Sequence, residues 1–217
     1  MSYRFADRAE AGRRLAMALP QLREQQDTVV LGLARGGVAV AAATARELYL
    51  PFGALLVRKL GIPSHPETAY GALAHSQGRI VRILDRRITR GMLSREVTTT
   101  QLAEIEQTER AALERQVQLY PVTPPVKGKT VLIIDDGLAT GATMRAGIEA
   151  VKDLGASRVL LAVPVASVEA SRALQRVSEG LVALQTPGKF HAVGSYYRDF
   201  PQLSDADCIQ LLTPRPN

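Results

Sequence analysis

Residues Thr130–Arg145 read TVLIIDDGLATGATMR, and this stretch decides the fold. Val131–Ile134 is an unbroken apolar run, the pattern of a strand buried on both faces. It ends in two adjacent carboxylates, Asp135 and Asp136. The loop GLATGAT follows and leads into a helix over 143–154, which Gly155 stops. Strand, loop and helix in that order make a βα unit, and ligands of open α/β sheets bind beyond the carboxyl ends of such strands.

A loop that opens a helix offers free backbone N–H groups at the positive end of the helix dipole, which suits a phosphate. Gly137 and Gly141 let the backbone approach closely, and Thr140 and Thr143 add hydroxyl donors. Two acids at the mouth of that loop would repel a phosphate unless they faced something else. A ribose satisfies both halves: its vicinal hydroxyls donate to Asp135 and Asp136 while its 5′-phosphate sits in the loop Gly137, Leu138, Ala139, Thr140, Gly141, Ala142, Thr143.

Working outward, apolar runs alternate with helical patterns, which argues for a parallel sheet with helices on its faces. A helix is expected over 9–24, with Leu15, Ala18, Leu19 and Leu22 on one stripe and Pro20 as its bend or end. Strands are expected at Thr28–Leu33, Phe52–Val57, Arg79–Leu84, 130–135, Val159–Val165 and Leu181–Gln185. An alanine-rich helix follows the first strand, another covers 168–178, and a long polar one runs from Ser94 to about Leu119. Residues 61–78 are rich in Gly, Pro, Ser and His and read as a mobile loop. Ser204 with Asp207 three residues on forms a capping box for a short last helix. The expectation is a doubly wound, mainly parallel α/β sheet in a single domain over 1–217, with a helical or hood-like excursion around 61–125.

Composition narrows the classes. The 217-residue chain carries 27 Lys and Arg against 21 Asp and Glu, a formal charge of +6. Its arginines are scattered singly or in pairs, and aromatic residues are only 5%, too few for a base-stacking platform; an anionic metabolite fits better than a nucleic acid. No apolar run reaches the roughly 20 residues of a membrane span, and the start MSYRFADRAEAGRR lacks an apolar signal region, so the expected compartment is the cytoplasm. Cys208, the one cysteine, reads as a semi-buried thiol near the C-terminus. His65, His75 and His191 have no metal-ligand spacing. The G-x-G-x-x-G, G-x-x-x-x-G-K-[ST] and G-x-S-x-G signatures are absent.

The segment VLIIDDGLATGAT resembles the signature of the type I phosphoribosyltransferases: an apolar strand, two acids, a short loop with Thr-Gly, and a Thr at the helix start. It departs at Gly137, where an apolar residue is usual, at Ala139, where many members have a second threonine, and at Ala142, where many have glycine. The resemblance implies that the chain binds 5-phosphoribosyl 1-diphosphate (PRPP) and transfers its ribosyl 5-phosphate to a nitrogen nucleophile, a nucleobase above all, releasing pyrophosphate. It implies Mg²⁺ as cofactor, held by Asp135 and Asp136 directly or through water, a small-molecule acceptor, and a homodimer. It also implies that the loop after the first core strand embraces the pyrophosphate; here that is Leu33-Ala34-Arg35-Gly36-Gly37, with Arg35, Gly36 and Gly37 as contacts. Arg58 and Lys59 match an arginine–lysine pair that orotate-type members direct at pyrophosphate; a solvated basic turn explains them equally well. Tyr70-Gly71-Ala72 resembles the return from a mobile loop that closes over the reaction centre. The aromatic concentration at Phe190, Tyr196, Tyr197 and Phe200 is expected either beside the acceptor base or in satellite core packing. A PRPP-binding regulator without catalysis is the competing function.

Overall fold

The computed structural model describes residues 3–62, 65–76, 78–84 and 98–213. Seven strands form one sheet in the order β4-β3-β2-β1-β5-β6-β7. They are β1 (Thr28–Leu33), β2 (Phe52–Ile62), β3 (His65–Ser76), β4 (Arg79–Leu84), β5 (Thr130–Ile134), β6 (Arg158–Val165) and β7 (Gly180–Gln185). Six α-helices accompany them among the described residues: α1 (Arg8–Met17), α2 (Gly36–Leu48), α3 (Thr99–Val117), α4 (Ala142–Asp153), α5 (Val168–Gln175) and α6 (Asp205–Leu212). None of the described helices is long and apolar enough to cross a membrane.

The five strands β2-β1-β5-β6-β7 are parallel, and β3 and β4 add an antiparallel edge. Helices cover both faces. Val29, Leu31, Leu33, Val131, Ile133, Leu161 and Val163 pack under Met144, Ile148 and Val151 of α4 and Ala170 and Leu174 of α5. The alternate residues Val30, Leu132, Ile134 and Ala162 pack under Leu15 and Leu19 of α1 and Val40, Ala41, Ala45 and Leu48 of α2. Every residue of β1 is buried, because a central parallel strand meets a helix on each side. Burying a Val, Leu or Ile of this kind contributes about 1.5–3 kcal/mol.

Strand order reverses between β1 and β5: the chain leaves β1 toward β2 on one side and leaves β5 toward β6 on the other. Such a switch point leaves a crevice outside the carboxyl ends of the two strands. In register, Gly32 of β1 faces Ile134 of β5, so Ala34-Arg35-Gly36-Gly37 and Asp135-Asp136 emerge side by side.

Two expectations change. Pro20 ends the first helix rather than bending it: α1 stops at Met17 and Pro20–Leu22 form a 3₁₀ turn. The expected mobile loop over 61–78 is strand over most of its length. β2 runs on to Ile62, and β3 pairs with it from Leu56↔His75 to Leu60↔Gly71, with a bulge beyond. Gly71, Ala72 and Ala74 blur the alternation that marks a strand, and the pairing comes from a partner distant in sequence. Residues 63–64 and 77 lie outside the described residues, as do 94–97, where the long polar helix was expected to begin. From a capping box at Thr98 and Gln101, α3 runs to Val117. The capping box expected at Ser204 and Asp207 opens α6.

Candidate functional site

The acid doublet closes β5 at the switch point. Asp135 Oδ1 accepts the Asp136 N–H at 2.9 Å. Asp136 Oδ2 accepts from Arg8 Nε at 2.9 Å, with the two side chains 15% and 9% exposed. Arg8 also donates through Nη1 to the Pro201 carbonyl at 2.9 Å, and its guanidinium lies 3.8 Å from the Phe200 ring centroid. The Tyr197 hydroxyl donates to the Asp136 carbonyl at 2.6 Å. The first helix and the C-terminal segment thus meet on one acid.

Burial pushes the Asp135 carboxyl well above its ordinary range. The neighbouring Asp136 charge adds to this, and the Asp136 N–H, Arg8 and Lys59 oppose it. Burial also raises Asp136, with Arg8 opposing through its charge and its hydrogen bond. Burial raises the Tyr197 phenol, so it stays a donor. Arg8 is thus the cation in direct contact with the pair, and Lys59 acts on Asp135 through its charge alone.

The loop after β1 lies against these acids. A Cβ on Gly36 would run into the Asp136 carboxylate, and one on Gly37 would come within 2.5 Å of the Ile134 carbonyl oxygen. Only glycine fits so tight a meeting of two loops. Cys208, fully buried rather than half-buried, donates its thiol to the Arg35 carbonyl at 3.4 Å and so ties α6 to this loop. A cavity of about 520 Å³ opens here, lined by Arg8, Arg35, Gly36, Asp136, Val193 and Phe200–Leu203.

On the far side of the acids, the Leu138 N–H donates to the Val165 carbonyl and the Leu138 carbonyl accepts from the Ser167 N–H, while Gly141 (φ +76°) opens α4 in the left-handed region. Leu138 and Gly137 are buried, whereas Ala139 and Thr140 are exposed. Thr140 Oγ1 accepts from the Ala142 N–H at a long 3.4 Å. Arg145 N–H returns to the Gly141 carbonyl as the first turn of α4.

The basic pair splits. Side chains alternate along a strand, so Arg58 lies on the face of Leu56 and Leu60, toward α3, where its guanidinium sits 3.5 Å from Glu109. Lys59 lies on the other face with Val57, where its charge acts on Asp135. Arg58 is thus paired with Glu109, and Lys59 is the member of the pair whose charge acts on Asp135. Tyr70 is likewise a core residue, its hydroxyl donating to the Leu102 carbonyl at 3.0 Å. Of the aromatic concentration, Tyr196 and Tyr197 pack in the core with Phe5, and Phe200 lines the cavity. Among the described residues no cluster of three or more His, Cys, Asp or Glu side chains gathers for a metal. Arg8 and Ser167 escaped the sequence reading. Arg8 is one arginine among several in a helical N-terminus, and Ser167 looks like an ordinary helix cap; each acts through partners far away in sequence.

The phosphoribosyl transferase domain pattern matches residues 6–181. Two Mycobacterium tuberculosis proteins (strains CDC 1551 / Oshkosh and H37Rv), each named provisionally as a phosphoribosyl transferase, are 37% identical over 211 residues, 96% of this chain and 46% of theirs. The chain thus spans about half the length of these curated relatives. A Pyrococcus furiosus ribose-phosphate pyrophosphokinase is 42% identical over 66 residues, 30% of this chain and 23% of that one. The crystal structure of TT1426 from Thermus thermophilus superposes with a TM-score of 0.79 at 39% identity, covering 96% of this chain and 97% of that one. With the strand, acid doublet and phosphate-type loop lying together at the sheet switch point, this chain belongs to the type I phosphoribosyltransferase family.

Proposed function

We propose that the chain binds PRPP across the β1–β5 crevice and transfers its ribosyl 5-phosphate to a nitrogen nucleophile, a nucleobase, with release of pyrophosphate. The observation that carries this reading is the juxtaposition of three unlike surfaces at one switch point. These are an amide-rich loop opening α4, a buried carboxylate pair, and the Arg35-Gly36-Gly37 loop pressed against that pair.

Gly137 to Thr143 would anchor the 5′-phosphate on backbone N–H groups and the Thr140 and Thr143 hydroxyls. Asp135 and Asp136 would accept the ribose hydroxyls. As the bond from the anomeric carbon to the pyrophosphate oxygen breaks, its electron pair leaves with pyrophosphate and positive charge grows on the sugar. The two carboxylates beside the ring favour that charge. The nucleophile's nitrogen then bonds to the anomeric carbon and loses its proton, which the departing pyrophosphate takes up. Arg35 and Lys59 would neutralise the departing pyrophosphate, while Gly36 and Gly37 let the backbone come close to it. Arg58, turned toward Glu109, is left out of this set.

The donor set fits Mg²⁺. The ion needs few protein ligands because it keeps several waters, and the half-buried Asp135 carboxylate has no cation in direct contact among the described residues. Asp135 and Asp136 would hold it directly or through water, and it would supply charge neutralisation on the pyrophosphate.

The test is a panel of nucleobases incubated with PRPP, Mg²⁺ and the chain, read by pyrophosphate release, beside calorimetry with PRPP alone. Base-dependent release is the expected outcome. PRPP uptake with no release from any base identifies a binding protein that does not catalyse transfer, and no uptake at all removes the reading.

A further inference from the structure

The junction of β6 and α5 lies directly behind the loop 137–143, and one buried hydroxyl joins the two. Ser167 is the N-cap of α5 and is 5% exposed. Its Oγ accepts from the Ala170 N–H at 3.0 Å and donates to the Ala139 carbonyl at 2.7 Å. Its own N–H donates to the Leu138 carbonyl at 2.8 Å. The Leu138 N–H in turn donates to the Val165 carbonyl at 2.9 Å. Two consecutive loop carbonyls are therefore turned onto one serine. A hydroxyl has a single proton, and here it goes to the loop while a lone pair caps the helix.

The consequence follows from the peptide unit. In a trans peptide the C=O and the next N–H point in opposite directions. Pinning the carbonyls of Leu138 and Ala139 to Ser167 aims the N–H groups of Ala139 and Thr140 the other way, out of the core. Neither N–H has a hydrogen-bond partner among the described residues, and both residues are exposed. Were either peptide to flip, a carbonyl oxygen would replace a donor where an anion is to sit.

We propose that Ser167 is a positioning residue that holds the 137–143 loop with its amides turned outward, and that it thereby sets affinity for the 5′-phosphate. This rests on the function proposed above and adds to it a residue outside the loop itself. The role is separable from helix capping. Asp caps a helix as well as Ser does, but as a carboxylate it has no proton to give the Ala139 carbonyl. Thr keeps both the donor and the acceptor.

The experiment measures binding of ribose 5-phosphate, PRPP with Mg²⁺, and pyrophosphate with Mg²⁺ by calorimetry. It uses the wild-type chain and Ser167→Thr, Ser167→Asp and Ser167→Ala. Expected are near wild-type affinities for Ser167→Thr, and about tenfold weaker ribose 5-phosphate and PRPP binding for Ser167→Asp and Ser167→Ala. Pyrophosphate affinity should stay unchanged in all of them. A purely structural serine would weaken every ligand alike or none, so either pattern overturns the proposal. Wild-type affinity for ribose 5-phosphate in Ser167→Asp overturns it too. If Ser167→Asp fails to fold, Ser167→Ala decides by the same contrast between ribose 5-phosphate and pyrophosphate. Failure of the wild-type chain to take up either PRPP or ribose 5-phosphate removes the functional reading itself, whereas normal uptake with no selective loss removes only the role of Ser167.

Discussion

The two ends of the segment 135–143 are held in different ways. The acid end is fixed by side chains from remote parts of the chain: Arg8 from the first helix on the Asp136 carboxylate, and Tyr197 from the C-terminal region on its carbonyl. The loop end is fixed mostly through backbone, by Leu138 on Val165 and by the turn of Gly141 into α4. The Ser167 hydroxyl is its only side-chain tie outside the segment among the described residues. On the proposed reading the acid end would act through charge and is held by charge pairing, whereas the loop end would act through the direction of its amides, a role that Ala139 and Ala142 leave to the backbone.

The largest effect that tests this contrast is Asp136→Asn. Transfer should fall by about 100-fold or more, measured as pyrophosphate release, while the melting temperature changes little by comparison. Equal turnover would break the assignment of the acid end. Next comes Arg8→Met, which leaves a buried carboxylate without its cation. About 3 kcal/mol of stability should be lost in urea denaturation, and Arg8→Met with Asp136→Asn should recover part of it, since the two residues share one interaction. Gly141→Ala strains the loop end instead: the left-handed backbone there should cost about 1–2 kcal/mol, seen in the same denaturation series, with PRPP affinity falling as well.

A fourth experiment separates neighbouring residues. Lys59→Ala should lower PRPP or pyrophosphate affinity several-fold, and Arg58→Ala should leave it unchanged, because the Lys59 charge acts on Asp135 while Arg58 is paired with Glu109. The smallest effect is one of pH. Asp135 is held above its ordinary, unfolded value. The native state therefore binds that proton more tightly, and the stability it contributes is fully present below the unfolded value and is lost as pH rises through the folded one. Asp135→Asn should therefore raise the melting temperature of the ligand-free chain at neutral pH, and the gain should shrink as pH falls into the ordinary carboxylate range.

By itself the sequence determined the βα unit at 130–154, the alternation of strands and helices, and the positions of the acids, the loop glycines and the capping box at Ser204. All of these depend on neighbours within a few residues, where periodicity, capping and glycine freedom act. Only the tertiary structure decided that Arg58 pairs with Glu109 while the Lys59 charge acts on Asp135, that the Gly-, Pro- and His-rich stretch pairs as β3, and that Arg8 meets Asp136 and Ser167 meets the loop. Each of those outcomes is set by a partner far away in the chain: Glu109 for Arg58, β2 for β3, Asp136 for Arg8, Ala139 for Ser167. Local sequence carries no trace of such contacts, because a salt bridge or a strand pairing depends on where the rest of the fold brings the second group.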